Sequence, residues 1–135
     1  LVIQIILGAF LAGLNGGLIY NTWPDMSGSF FPNDSIFNDY LSLSSFSDPS
    51  IVQFFHRTTA YILLIFVILL NIYFYKYKLN LTEILIFDLS IFIQILLGIV
   101  TLLNSVEIKY ASLHQIGSIF VLSSFLFIYF KNYKS

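Results

Sequence analysis

The sequence predicts an all-α integral membrane protein, folded as an antiparallel four-helix transmembrane bundle. Two properties of composition carry this prediction: hydrophobic residues make up 58% of the 135 residues and charged residues only 10%. The mean hydropathy of +0.87 agrees. Soluble domains contain about 25% charged residues, and a soluble globule of this size could not bury so much apolar surface. The same composition excludes a disordered chain.

Four apolar segments are long enough to cross a bilayer. A hydrocarbon core about 30 Å thick needs roughly 20 apolar residues in a helix, and backbone groups in lipid must bond to one another. We therefore predict helices over about residues 2–20, 52–75, 84–104 and 111–130. The last two connections are short, which predicts that helices two to four are antiparallel neighbours.

The positions of the lysines predict the orientation. Lys76 and Lys78 follow the second helix, and Lys131 and Lys134 follow the fourth, so all four lie on one side of the membrane. Lysines concentrate on the cytoplasmic or matrix side. The polar loop 21–51 is then expected on the periplasmic or intermembrane-space side of a bacterial plasma membrane or a mitochondrial inner membrane.

Charge and cysteine content exclude several functions. A net charge of −1 provides no basic surface for nucleic acid, and a chain without cysteine has no disulfide, thiolate metal site or thiol catalyst. Residue 1 is Leu within an apolar run, and the only methionine is Met26. We therefore expect a piece of a longer protein that begins within its first visible helix.

The two histidines, His56 and His114, lie near the starts of the second and fourth predicted helices. These helices run in the same direction, so both imidazoles are expected at one depth, about one turn below the outer surface. Zinc usually needs three or four protein ligands, whereas haem iron needs only axial ligands. Haem ligation is therefore favoured, and the alternative is that the histidines join helices by hydrogen bonds.

Residues beside the histidines are further candidates. Arg57 is expected to pair with a haem propionate or, equally, to reach lipid headgroups or an acidic residue of the long loop. Gln115 directly follows His114 and is included as a cofactor-binding residue. Small residues lie three and four positions after each histidine and would clear a helix face for a macrocycle: Thr59, Ala60, Gly117 and Ser118.

A short sequence occurs twice in similar form. Residues 4–8 read Gln-Ile-Ile-Leu-Gly and residues 94–98 read Gln-Ile-Leu-Leu-Gly, which would fit a repeated helix pair. The first helix also carries small residues at every fourth position, a spacing that permits close helix packing: Gly8, Ala12 and Gly16, with Ala9, Gly13 and Gly17. The alternative is that these residues, with Gln94 and Gly98, make room for a macrocycle or a second lipophilic substrate.

Four motifs occur in order along nearly the whole chain. They are residues 8–17 (GAFLAGLNGG) with Tyr20-Asn21-Thr22-Trp23-Pro24 and Met26; Gln53-Phe54-Phe55-His56-Arg57 with Ala60-Tyr61; Leu97-Gly98-Ile99 with Thr101-Leu102-Leu103; and Leu113-His114-Gln115 with Gly117. In this order and spacing they resemble the fifth to eighth helices of haem A synthase. That membrane enzyme converts haem O to haem A for cytochrome oxidase.

The resemblance implies that residues 1–135 are the C-terminal half of an eight-helix pseudo-symmetric fold, without the N-terminal half. It implies that His56 and His114 are the axial iron ligands of haem b (iron protoporphyrin IX), used for electron transfer. Gln53 stands where the other half has a catalytic Glu, so no catalytic residue is expected here.

The full-length enzyme would oxidise a methyl group of haem O, bound in the missing half, to the formyl group of haem A. Haem O synthase and an electron-transfer protein are implied partners, and we expect this chain alone to be inactive. Two other functions stay open. One is a non-enzymatic b-type cytochrome or haem-carrier module, and the other is a scaffold or transporter bundle without haem.

Overall fold

The computed structural model describes residues 1–77 and 81–133, and this part of the chain contains four α-helices. They are α1 (Val2–Gly13), α2 (Pro49–Lys76), α3 (Leu81–Leu103) and α4 (Ile108–Tyr133). The connection between α1 and α2 contains three short 3-10 helices, Gly16–Leu18, Phe37–Leu41 and Leu43–Ser47. The described residues form no strand beyond one isolated bridge between Met26 and Ser29. The predicted all-α architecture is confirmed.

Helices α2, α3 and α4 are long and apolar enough to cross a membrane, with mean hydropathies of 2.0, 2.4 and 1.6 over their most apolar windows. Each begins three residues before its predicted start, because its first turn contains polar or charged residues that a hydropathy count leaves out. In α2 this turn is capped by Asp48, whose carboxylate accepts from the backbone N–H groups of Ser50 (2.8 Å) and Ile51 (3.1 Å).

The predicted extent of the first helix, residues 2–20, is wrong at its C-terminal end. Helix α1 ends at Gly13, and Asn15 adopts a left-handed conformation with φ of 53°. Its 12 residues span about 18 Å, which is shorter than a bilayer core. Hydropathy could not reveal this end because apolar residues continue after it.

The turn after α1 passes close to other helices. A Cβ atom on Gly16 would lie 2.9 Å from the backbone oxygen of Pro49, and one on Gly17 would lie 2.7 Å from Cγ2 of Val106. These glycines therefore bring the chain against the start of α2 and the α3–α4 turn. The close-packing interpretation of the small residues holds at Gly16 and Gly17.

The helices are arranged as two closely packed pairs, α1 with α2 and α3 with α4, whereas α2 touches α3 over a short stretch. One apolar cluster joins α2, α3 and α4 at the end of the bundle away from the histidines: Val67, Phe74, Ile84, Phe87, Ile91, Val121 and Ile128. At the same end, Asn71 donates to Asp88 at 2.9 Å and Lys131 forms an ion pair with the buried Glu83. These contacts fix the antiparallel order of the three long helices.

Two of the four lysines that predicted the orientation lie in the described part of the chain. Lys76 is in the last turn of α2 and Lys131 in the last turn of α4, at the same end of the bundle. Lys78 and Lys134 lie outside the described residues. The side of the membrane that this end faces stays a prediction.

Candidate functional site

The two histidines occupy equivalent positions in the two helix pairs. His56 lies seven residues after the start of α2 and His114 six residues after the start of α4. Both are therefore about 10 Å along their helices, which agrees with the prediction that the two imidazoles lie at the same level on parallel helices. Their depth below the membrane surface stays a prediction. Both residues are half-buried.

A glutamine from the partner helix bonds to the backbone of each histidine. Gln4 of α1 donates from Nε2 to the carbonyl oxygen of His56 at 3.0 Å, and Gln94 of α3 donates to that of His114 at 2.8 Å. The same Nε2 of Gln4 lies 3.3 Å from Nδ1 of the His56 ring. Each glutamine lies nine residues before the end of its helix, so the two contacts have the same register.

A glycine one turn after each glutamine lies against the histidine ring. A Cβ atom on Gly8 would lie 3.2 Å from Cε1 of His56, and one on Gly98 would lie 2.9 Å from Cε1 of His114. The segments 4–8 and 94–98 therefore build the same Gln–His–Gly arrangement twice. The repeated helix pair predicted from the sequence is confirmed.

Several buried polar atoms around the rings have no hydrogen-bond partner: Nδ1 of His114, Oε1 of Gln4 and Oε1 of Gln94. Among residues 1–77 and 81–133, no cluster of three or more His, Cys, Asp or Glu side chains could hold a metal ion. The donor set is therefore two imidazoles, and that of His114 has a ring nitrogen without a partner. This set fits axial ligation of an iron whose other four ligands come from a macrocycle.

The small residues that follow the histidines mainly serve local packing. A Cβ atom on Gly117 would collide with the side chain of Gln94, so this glycine makes room for α3. Thr59 donates to the carbonyl of Phe55 at 2.6 Å, and Ser118 donates to that of Gln115 at 2.7 Å. The prediction that Gly117 clears a face for a macrocycle is wrong, because Gln94 already fills that space.

Arg57 binds the loop 21–51 at its start. Its Nη2 donates to the carbonyl of Tyr20 at 2.8 Å, and its Nη1 donates to those of Thr22 (2.9 Å) and Asp25 (2.8 Å). Arg57 thus contacts an acidic residue of the long loop, one of the expected alternatives, through the backbone of Asp25 and not through its carboxylate. Nε of Arg57 is buried without a partner, so a propionate contact stays a prediction. Gln115 is exposed on α4, and its role also stays a prediction.

Sequence reasoning missed a set of hydrogen bonds that anchors the loop 21–51 to α2. Tyr20 donates to Asp34 at 2.9 Å, and Ser50 donates to the other oxygen of that carboxylate at 2.6 Å. The bond from Ser50, together with that from Tyr20, holds the pKa of Asp34 below its usual range. Burial, followed by the bond to Asp34, raises the pKa of Tyr20. No regular spacing relates these three residues, so the sequence carries no signal for them.

Gln53 and a nearby cavity lie beside the loop between α1 and α2. The Gln53 side chain is only 1% exposed and donates to the carbonyl of Tyr20 at 2.9 Å, so it supports the loop. A cavity of about 280 Å³ is lined by loop residues and α2, and not by the histidines: Pro24, Asp25, Gly28, Ser29, Phe30 and Tyr61.

The fold and the site define a class: a helical membrane protein with one histidine in each of two repeated helix pairs. The model of one known family matches residues 1–126. The chain belongs to that family, the cytochrome oxidase assembly proteins.

Its relatives include three bacterial haem A synthases. That of Pelagibacter ubique is 58% identical over 132 residues, which cover 98% of this chain and 39% of the relative. That of Wolbachia pipientis wMel is 41% identical over 94% of this chain and 35% of the relative. The haem A synthase of Rickettsia bellii strain OSU 85-389 is 44% identical over 94% of this chain and 38% of the relative. The chain thus spans less than half of each relative, and no solved structure matches it significantly.

Proposed function

We propose that this chain is the haem-binding C-terminal part of a haem A synthase, in which His56 and His114 are the axial ligands of a haem b. The observation that carries this proposal is the Gln–His–Gly arrangement, built once by α1 and α2 and again by α3 and α4. The relatives are haem A synthases, which supports that enzyme as the whole protein. The two-imidazole donor set supports haem as the cofactor.

In this function the residues of the chain bind and orient the cofactor. Each imidazole is oriented by the glycine beside it, and the apolar helices around the site exclude water. Arg57, through its unpartnered Nε, and Gln115 are the proposed contacts at the edge of the macrocycle. The haem, when bound, supplies one-electron redox chemistry at its iron.

The reaction proposed for the whole protein is oxidation of a methyl group of haem O to the formyl group of haem A, for cytochrome oxidase. This oxidation replaces two C–H bonds of the methyl group by a C=O bond. With water as the source of the oxygen atom, it releases four protons and four electrons, so a route for electrons is required. We assign that route to the haem b site and to an electron-transfer partner, with haem O synthase as the source of substrate. The amide of Gln53 cannot act as a general base, so the catalytic base belongs to the rest of the protein.

The test uses the full-length protein, purified from membranes, with His56→Ala and His114→Ala. Each variant is expected to lose the haem b band of the reduced-minus-oxidised spectrum and to produce less haem A. Asn104→Ala, which removes only a bond to the backbone of its own helix, is the matched control and should keep both. Full activity with no haem b lost would overturn the proposal. An intact protein that holds haem but forms no haem A would favour the b-type cytochrome alternative.

A further inference from the structure

We propose that Gln94 is a positioning residue for one of the two candidate iron ligands, His114. Oε1 of Gln94 accepts the Nδ1–H group of His114, which leaves Nε2 of the histidine to bind iron. The inference rests on the proposed haem site, and it adds the group that selects the binding nitrogen.

The first support is the orientation of the two amides. Each Nε2 donates to a backbone carbonyl of the facing histidine, at 3.0 Å in one pair and 2.8 Å in the other. A carbonyl oxygen can only accept, so the amide nitrogen must point to it and the amide oxygen must lie elsewhere. In both pairs that oxygen is buried and has no partner.

The second support is the complementary atom on the histidine. Nδ1 of His114 is also buried without a partner. The α3–α4 pair therefore buries a donor and an acceptor that both lack a partner, and each lowers the stability of the fold. A hydrogen bond between the two removes both desolvation costs. In the other pair, Nε2 of Gln4 lies 3.3 Å from Nδ1 and 3.4 Å from Nε2 of the His56 ring, so that contact does not distinguish the two ring nitrogens.

The third support is the space reserved for Gln94. A Cβ atom on Gly117 would collide with Oε1 of Gln94, so α4 carries a glycine at the place where this oxygen lies. The oxygen thus has a defined position close to His114. The same Gln–His arrangement recurs in the α1–α2 pair.

The chemical consequence concerns the iron. A metal-binding histidine that donates its second N–H to an acceptor has a fixed tautomer and a more basic ligating nitrogen. A more basic ligand stabilises the oxidised iron, so the acceptor lowers the reduction potential. A glutamine that only joins two helices through a backbone carbonyl has no such effect.

The experiment uses the full-length, haem-loaded protein with Gln94→Leu and Gln94→Glu. The measured quantity is the reduction potential of the haem whose band is lost in His56→Ala and His114→Ala. Leu removes the acceptor, so the potential should rise. Glu is a stronger acceptor, so the potential should fall. Ser90→Ala, which breaks the 3.0 Å bond between Ser90 and Ser124 across the same two helices, is the control and should leave the potential unchanged.

The possible outcomes separate this inference from the function on which it rests. Opposite shifts in the two variants support the acceptor role. Equal shifts, no shift, or equal loss of haem from both variants would make Gln94 a packing residue and overturn the inference, while the haem site stands. If neither histidine substitution changes the haem bands of the full-length protein, both proposals are overturned.

Discussion

Arg57 donates from Nη2 to the backbone carbonyl of Tyr20 at 2.8 Å and so connects the residue after His56 to the start of the loop between α1 and α2. Two more bonds from Nη1 extend this connection to Thr22 and Asp25. The position of the loop is therefore coupled to the helix turn that carries one of the candidate ligands.

We expect Arg57→Lys to loosen the loop between α1 and α2. A lysine keeps the charge but cannot reach three carbonyls in two directions. The local free energy of opening should fall by about 2 kcal/mol, the scale of one or two hydrogen bonds to a charged donor. Hydrogen exchange of the amides of residues 20–26 in the full-length protein is the measurement. Exchange as slow as in the unsubstituted protein would contradict this connection.

A series of glycine substitutions tests the packing of the rings. Gly98→Ala places a Cβ atom 2.9 Å from His114, and Gly8→Ala places one 3.2 Å from His56, whereas Gly13→Ala meets nothing within 4 Å. Overpacking costs about 1–3 kcal/mol. Haem content and thermal stability should therefore fall most for Gly98→Ala, less for Gly8→Ala and not for Gly13→Ala. A different order would show that the glycines do not set the ring positions.

The two described ion pairs should contribute unequally to stability. The Glu83 side chain is 4% exposed beside Lys131, whereas that of Glu107 is 48% exposed beside Lys109. Lys131→Met leaves a buried carboxylate without its partner and should lower the free energy of unfolding by about 1–3 kcal/mol. The loss is no larger because the lysine is half exposed. Lys109→Met should have little effect. Thermal unfolding in detergent compares the two variants, and equal losses would contradict the difference in burial.

Acid should release the anchor at Asp34. Because the folded-state pKa of Asp34 is lowered, its stabilising effect is complete above the unfolded pKa of about 3.9 and is lost as pH falls through the lower folded value. Exchange at residues 33–36, corrected for intrinsic rates, should therefore increase as the pH falls below about 4. Asp34→Asn should remove this dependence. A transition of equal size in both proteins would assign it to another group.

The long helices could be predicted because apolar composition over roughly 20 residues is a strong signal. The end of α1 could not, because Asn15 and its neighbouring glycines break the helix inside an apolar run. Capping by Asp48 explains why α2 begins earlier than hydropathy indicates.

The candidate site was predictable where the sequence repeats. Residues 4–8 and 94–98 are alike, and the structure places both against a histidine. The partners of Arg57 were not predictable, since backbone carbonyls carry no sequence signal. The same holds for Gly117, whose neighbour Gln94 comes from another helix.

The apolar cluster that joins α2, α3 and α4 lies in the half of the bundle farthest from the histidines. The two helix pairs are thus joined at one end of the bundle, and the imidazoles lie toward the other end. Each histidine is contacted by the partner helix of its own pair, His56 by α1 and His114 by α3. A substitution beside one histidine therefore leaves the contacts of the other in place.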